Sequence, residues 1–212
     1  MPPKVDYRSD TVTMPCLQMR RLISSAEVGD SMFGEDPSVT SLERTLKEYF
    51  GFSYALFVPS GTMSNQIAIG VHTRPGETIV SEQLSHYYLY ESGATSALSG
   101  VQMEVFNDIY DSNLNLQINA IIRPESPHHA KTSLFVFENT HNEKGGDARS
   151  SRITQRALRI VEKYGLKTHL DGARIWNAAS ALGEEEVDLA AGFDSVSICM
   201  SKGLGAPVGS VL

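Results

Sequence analysis

The sequence predicts an α/β fold in three layers, α/β/α, with helices on both faces of a mainly parallel sheet. From about residue 50 onward, short runs of apolar and β-branched residues alternate with longer stretches of helical periodicity. Strands that alternate with helices are joined by crossovers, and crossovers make neighbouring strands parallel. The chain has 212 residues, of which 41% are hydrophobic and 20% charged, so it can form one sizeable core.

The residue pattern also predicts where the elements lie. Six strands are expected at 55–58, 78–80, 101–105, 133–137, 167–170 and 195–200, with helices between them at 63–72, 87–97, 115–123, 153–164 and 175–181. A further amphipathic helix at 38–50 precedes the first strand. We therefore expect two parts. Residues 1–50 form an N-terminal segment and a helix that pack on a large domain made of residues 51–212.

Composition excludes several classes of protein. The formal net charge is −7 and the basic residues are scattered, so nucleic acid is not the expected partner. Cys16 and Cys199 lie far apart in no metal-binding spacing, which predicts neither a disulfide nor a metal site and fits a cytoplasmic setting. No apolar run is long enough to cross a bilayer, so we expect a soluble protein with no membrane partner.

Polar motifs follow the ends of several predicted strands. They are Ser60-Gly-Thr62, Glu138-Asn-Thr-His141, Asp171-Gly-Ala-Arg174 and Ser201-Lys202. A lysine after a strand is by itself most often a solvated loop residue, and Asp-Gly is a common turn. In open α/β sheets, however, ligands bind beyond the carboxyl ends of the strands and at helix N-termini. Together the motifs predict one ligand pocket at that edge of the sheet.

The motifs occur in an order that resembles a known family. They run from Asp6-Tyr-Arg-Ser-Asp-Thr-Val-Thr13 through Val28-Gly-Asp30, Gly34-Glu-Asp-Pro37, Pro59-Ser-Gly-Thr-Met-Ser-Asn-Gln66 and Glu138-Asn-Thr-His141 to His169-Leu-Asp-Gly-Ala-Arg174 and Ser201-Lys-Gly-Leu204. In content and order they resemble the low-specificity L-threonine aldolases, which belong to the beta-eliminating lyase superfamily. The resemblance covers the chain from about Asp6 to its last residue.

That resemblance implies a fold, a cofactor and a reaction. The fold is the large domain of the transferases that depend on pyridoxal 5'-phosphate (PLP), of the aspartate-aminotransferase type. The reaction is a retro-aldol cleavage of L-threonine or L-allo-threonine, a small-molecule substrate, to glycine and acetaldehyde. The same fold also serves other PLP-dependent lyases and aminotransferases. A catalytically silent PLP-binding fragment is a third interpretation.

The resemblance assigns three side chains to the cofactor ring. Lys202 would hold the cofactor aldehyde as a Schiff base, and Asp171 would keep the pyridine nitrogen protonated so that the ring accepts electrons. His86 would lie flat against one face of the ring and assist proton transfer. Its neighbours Tyr87 and Tyr88 are alternative ring contacts.

The cofactor phosphate is expected at the turn that follows the first strand. There Gly61 and Thr62 would offer backbone N–H groups, a hydroxyl and the positive end of a helix dipole, and Ser201 would add a further donor. An ordinary helix cap is the simpler interpretation of the turn when it is taken alone.

The resemblance places three more residues near the substrate. Arg174 would contact the cofactor hydroxyl and, bidentately, the substrate carboxylate, to which Ser9 would also bind. A helix-surface salt bridge is the alternative for Arg174. His128 matches a family histidine near the β-hydroxyl. The catalytic base is a histidine or a water that a histidine holds.

One departure from the family pattern concerns length. The chain stops ten residues after Lys202, whereas family members continue into a C-terminal small domain that supplies further basic residues. We therefore expect that the small domain is absent, that catalysis by this chain is poor or lacking, and that the sixth strand lies near an exposed edge. A full-length version is expected to be a homo-oligomer, either a dimer or a tetramer.

Overall fold

A computed structural model describes residues 5–124 and 126–212. Within these residues the strands are β1 Phe57–Val58, β2 Thr78–Glu82, β3 Gln102–Phe106, β4 Thr132–Glu138, β5 Lys167–Asp171, β6 Ser195–Cys199 and β7 Ser210–Val211. The helices are α1 Leu17–Ser25, α2 Pro37–Phe50, α3 Gly61–His72, α4 His86–Leu89, α5 Ala94–Ser99, α6 Leu114–Ile121, α7 Ser151–Glu162, α8 Ile175–Leu182 and α9 Glu186–Ala190. Single 3-10 turns lie at Asp10–Val12, Ser31–Phe33 and Asn142–Lys144.

The strands form one sheet in the order β1-β7-β6-β5-β4-β2-β3. The pairs from β3 across to β6 are parallel, which confirms the predicted α/β class with a mainly parallel sheet. The sequence pattern missed β7, a two-residue strand that runs antiparallel to both β6 and β1. Because β7 covers β6, the sixth strand is internal, and the expectation of an exposed edge there is wrong.

Helices cover both faces of the sheet, as predicted. Successive side chains of a strand point to opposite faces, and β4 shows the division. Leu134 and Val136 pack with Ile69 of α3 in one buried cluster. Phe135 and Phe137 belong to a second and larger cluster on the other face, to which α6, α7, α8 and α9 contribute. Two apolar layers therefore enclose the sheet.

The helix predicted at 87–97 is two helices. α4 ends at Leu89, and α5 begins at Ala94 after two residues in the left-handed region, Ser92 with φ 54° and Gly93 with φ 69°. A residue with positive φ cannot continue a right-handed helix. The break turns the chain, and it directs the residue before it, Glu91, toward the interior, where its side chain is buried.

The N-terminal region packs on the large domain only in part. Asp36 caps the N-terminus of α2, because its carboxylate accepts from the N–H of Val39 at 2.9 Å. At the other end of α2, the Phe50 ring contacts Trp176 of α8 at a centroid distance of 5.8 Å. α1, by contrast, buries none of its residues, and Leu17, Leu22 and Ile23 are exposed on it. α2 thus contacts α8, whereas the apolar residues of α1 are exposed, and the division into residues 1–50 and 51–212 stays a prediction. No described helix is both long and apolar enough to cross a membrane.

Candidate active site

The carboxyl ends of the parallel strands meet at a cavity of about 350 Å³. Lys202 lies in the loop between β6 and β7, and Asp171 is the last residue of β5. The structure brings both side chains to this cavity. Its other lining residues are Pro59, Ser60, Gly61, Thr62, Asn65, His86, Glu91, Ala173, Cys199, Ser201, Pro207 and Val208.

One side of the cavity is the N-terminus of α3. Ser60 caps this helix, because its hydroxyl accepts from the N–H of Met63 at 3.2 Å. Within the described part of the chain, this cap leaves the N–H groups of Gly61 and Thr62 for a bound anion. Gly61 also packs closely: a Cβ atom there would lie 2.6 Å from the Sγ atom of Cys199. The site therefore suits a phosphate group.

The floor of the cavity is acidic. Asp171 and Glu91 are 4% and 3% exposed, and the amide nitrogen of Asn65 donates to both, at 2.9 Å to Asp171 Oδ2 and 2.9 Å to Glu91 Oε1. The backbone N–H of Ala173 donates to Asp171 Oδ1 at 3.1 Å. Ligand atoms of His86, Glu91 and Asp171 lie within 4.8 Å of one another. Buried carboxylates in this number favour a positively charged group beside them, such as a protonated ring nitrogen.

His86 stands at the N-terminus of α4, and two carboxylates hold it. Its backbone N–H donates to Glu138 Oε2 at 2.7 Å, and its Nδ1 atom lies 3.3 Å from Glu91 Oε1. The hydrogen bond with Glu91 raises the pKa of His86 against the opposing effect of burial. Burial and the nearby charge of Asp171 raise the pKa of Glu138 to about 7. The net result is a half-buried imidazole set among acidic groups.

A second cavity, of about 310 Å³, adjoins the first and shares His86 and Lys202 with it. Its other lining residues are Ser9, Thr11, Tyr90, Asn142, Glu143 and Arg174. Arg174 donates to Asp10 from both Nε and Nη2, each at 2.9 Å at the closest. The predicted residues Ser9 and Arg174 thus lie together, beside the first cavity, and the guanidinium of Arg174 is paired with Asp10.

The N-terminal segment closes over this second cavity. The Thr13 hydroxyl donates to the backbone carbonyl of Lys202 at 2.6 Å, and the Asp10–Arg174 ion pair lies beside it. Residues far apart in the sequence are therefore joined at the loop that carries the lysine.

The structure does not bring His128 to either cavity. His128 is exposed and lies in the segment before β4, where its backbone N–H donates to Ser126 Oγ at 3.2 Å. This is the amino end of the strand, and in a parallel sheet the amino ends lie at the edge opposite the carboxyl ends. Within a single copy of the chain His128 thus lies away from both cavities, and its contact with a substrate stays a prediction.

Three buried residues that line the cavity, Asn65, Cys199 and Glu91, were not predicted from the sequence as site residues. Asn65 follows Gly61 by one helical turn, so its spacing was a signal that it faces the same side of α3. Cys199 precedes the lysine loop, and burial raises the pKa of its thiol, so the sulfur stays protonated. Glu91 gave no signal, because it reaches the cavity only through the break after α4.

The fold and the cavity define the class. The chain has the three-layer α/β/α fold of the PLP-dependent transferases, with a cavity at the carboxyl ends of the strands. The profile of the family described as beta-eliminating lyase matches residues 6–212. The chain belongs to the beta-eliminating lyase family.

Individual relatives agree with this assignment. A protein of Arabidopsis thaliana named low-specificity L-threonine aldolase 1 is 42% identical over 213 residues, a match that spans 98% of this chain and 59% of that protein. A low specificity L-threonine aldolase of Escherichia coli O157:H7 is 39% identical over 209 residues, covering 98% of this chain and 62% of that protein. The chain thus spans about three fifths of the length of these relatives.

The solved structures support the fold. The structure of the threonine aldolase of Leishmania major superposes with a TM-score of 0.80 at 24% identity, over 96% of this chain and 60% of that one. At this identity the likeness establishes the three-layer architecture.

Proposed function

We propose that this chain is the PLP-binding part of an aldolase that cleaves L-threonine and L-allo-threonine to glycine and acetaldehyde. One observation carries the proposal: Lys202 and Asp171 line the same cavity, next to the N-terminus of α3. The names of the relatives, threonine aldolases at about 40% identity, support the choice of reaction.

The residues of the cavity fit this cofactor. When bound, PLP would supply an electron sink for the electrons of the bond that breaks. In the proposal, Lys202 holds the aldehyde covalently, Asp171 accepts a hydrogen bond from the protonated ring nitrogen, and the amides of Gly61 and Thr62 bind the phosphate. Ser201 also lines the cavity and adds a donor.

Substrate binds, in the proposal, in the second cavity, which His86 and Lys202 share with the first. Its carboxylate pairs with Arg174 and Ser9, and to do so it must share the guanidinium with Asp10 or replace it there. The β-hydroxyl proton passes to His86, whose Nδ1 is held by Glu91. These contacts orient the bond that breaks, which is the main contribution of the protein.

Cofactor binding is tested on the chain with added PLP. We expect an absorbance band that shifts on reduction with borohydride, and a peptide with the cofactor mass fixed on Lys202. Lys202→Ala removes both, whereas the control Lys131→Ala, an exposed lysine before β4, retains both. If the wild-type chain is folded and shows no band, the proposal is wrong.

The reaction is tested separately with L-threonine and L-allo-threonine, by coupling acetaldehyde to NADH oxidation by alcohol dehydrogenase. Pyruvate formed from L-serine instead would favour another lyase of this fold, and amino transfer to a keto acid would favour an aminotransferase. Bound PLP without turnover of any of these substrates would support a catalytically silent PLP-binding chain.

We also propose that copies of the protein associate. Support comes from α1, an amphipathic helix whose apolar residues Leu17, Leu22 and Ile23 are exposed. Light scattering with size-exclusion chromatography tests this proposal. Leu22→Glu should weaken the association. A wild-type chain that is a monomer at micromolar concentration would contradict the proposal.

A further inference from the structure

A buried chain of hydrogen bonds leads away from Asp171 through the interior. Its centre is His169, which is fully buried in β5, two residues before Asp171 and so on the same face of the strand. Nε2 of His169 lies 3.1 Å from Asn65 Oδ1, and its Nδ1 lies 2.9 Å from Ser195 Oγ. The chain ends at half-buried His72, whose Nε2 is 2.8 Å from the same hydroxyl.

The two carboxylates decide the direction of these hydrogen bonds. Asn65 gives its amide N–H groups to Asp171 and Glu91, so its oxygen must face His169. An amide oxygen only accepts, and therefore Nε2 of His169 carries the proton. Nδ1 of His169 then accepts from the Ser195 hydroxyl. Each group in the series donates in the direction of Asp171.

Burial supports the same arrangement. It lowers the pKa of His169 to about 4, although the charge of Asp171 opposes this effect, so the ring is neutral at physiological pH. The groups around it are Asn65 and Ser64 on α3, Asp171 on β5, and Ser195 and Ser197 on β6, with His72 beyond Ser195. The Ser197 hydroxyl, 3.3 Å from Nε2, is a second acceptor that in turn bonds to Ser64 at 2.6 Å.

We infer that His169 is a positioning residue: by holding the amide of Asn65, it fixes the carboxylate of Asp171 in the orientation that binds a protonated ring nitrogen. The inference rests on the proposed function, because it assigns that carboxylate to the cofactor ring. Without the N–H of His169 at its oxygen, the amide of Asn65 can rotate. Asp171 Oδ2 would then lose a fixed partner, and among the described residues only the backbone bond from Ala173 to Oδ1 would hold the carboxylate.

The test compares two ligands on the 212-residue chain: PLP and its 1-deaza analogue, in which a carbon replaces the ring nitrogen. Affinity for each is measured by absorbance titration. Wild type should prefer PLP, because only PLP presents a charged nitrogen to Asp171. His169→Leu, which removes the donor, should reduce that preference about tenfold, the value of one hydrogen bond to a charged group. Affinity for the analogue should stay within about twofold of wild type.

Two further variants control for structural effects. His169→Gln keeps an N–H that can reach Asn65, and it should retain most of the preference. His129→Gln, at an exposed histidine remote from the chain of hydrogen bonds, should behave as wild type. Equal loss of both ligands in His169→Leu, or no change in either, would overturn the inference.

A measurement on wild type covers the case in which His169→Leu does not fold. Nitrogen-15 NMR of the imidazoles should show His169 neutral with its proton on Nε2 at neutral pH; a proton on Nδ1, or on both nitrogens, would refute the inference. Failure of wild type to bind either ligand would count against the proposed cofactor. Wild-type binding of PLP, together with an unchanged preference for PLP in His169→Leu, would count only against the role of His169.

Discussion

The close contact between Gly61 and Cys199 predicts that Gly61→Ala lowers the free energy of unfolding in the wild-type chain but not in Cys199→Ala. The Cβ atom of alanine at position 61 would lie 2.6 Å from the Cys199 sulfur. That is about 1 Å shorter than the ~3.5–4.0 Å at which non-bonded heavy atoms attract. Overpacking of this kind costs about 1–3 kcal/mol. Alanine in place of glycine in a helix offsets up to about 1 kcal/mol of that cost. Gly61→Ala should therefore lower the free energy of unfolding by about 1–2 kcal/mol.

Removal of the sulfur reverses the effect. In Cys199→Ala, the methyl of Ala at position 61 enters the space that the sulfur leaves, so the substitution at Gly61 should be neutral or should stabilise by up to about 1 kcal/mol. The double-mutant cycle should show a coupling of about 1–3 kcal/mol. Urea unfolding, followed by the fluorescence of Trp176, the single tryptophan, measures all four proteins. Equal destabilisation by Gly61→Ala in both backgrounds would refute the close contact as its cause.

Three further predictions concern charge and backbone. The hydrogen bond with Glu91 is the main cause of the raised pKa of His86, so Glu91→Gln should lower that pKa, and the ring should lose its proton at a lower pH than in wild type; an unchanged NMR titration of the imidazole would contradict this. Arg149 is 1% exposed with its Nη2 at 2.7 Å from Glu82, and Arg149→Leu leaves that buried carboxylate with Lys144 as its remaining charged partner among the described residues. The expected loss of about 1–3 kcal/mol in urea unfolding would be disproved by a loss below about 0.5 kcal/mol. Gly209 has φ 111°, and a Cβ atom there would lie 2.6 Å from an aromatic ring of β1. Gly209→Ala should cost at least about 1–3 kcal/mol, and a thermal midpoint equal to wild type would exclude the clash.

The meeting of Lys202, Asp171 and the α3 N-terminus could be predicted because it follows from topology. Each follows a strand of one sheet, and parallel strands place their carboxyl ends at one edge. The same rule, applied to the segment before β4, separates His128 from them, since that residue precedes its strand. Family likeness suggested a role for His128; its position in a single chain is set by strand direction.

The remaining features depend on contacts that local patterns do not encode. β7 has two residues, too few to show a period, and it exists because β6 and β1 both offer it partners. Glu91 looks like a solvated helix residue, and only the positive φ angles after it direct it inward. The pairing of Arg174 with Asp10 joins distant segments, so spacing along the chain gives no sign of it.

The antiparallel strand β7 has a consequence for biosynthesis. It aligns Val211 with Phe57, and the chain between these two contributes the walls of the cofactor-sized cavity. Pairings between such remote positions form late, because a long loop must close before any contact rewards it. A nascent polypeptide still emerging from the ribosome would thus contain α3 and β5 before the cavity between them has formed. A small ligand can therefore bind this region only after β7 has been synthesised. A ligand that binds only the folded chain would then stabilise the pairing of β1 with β7.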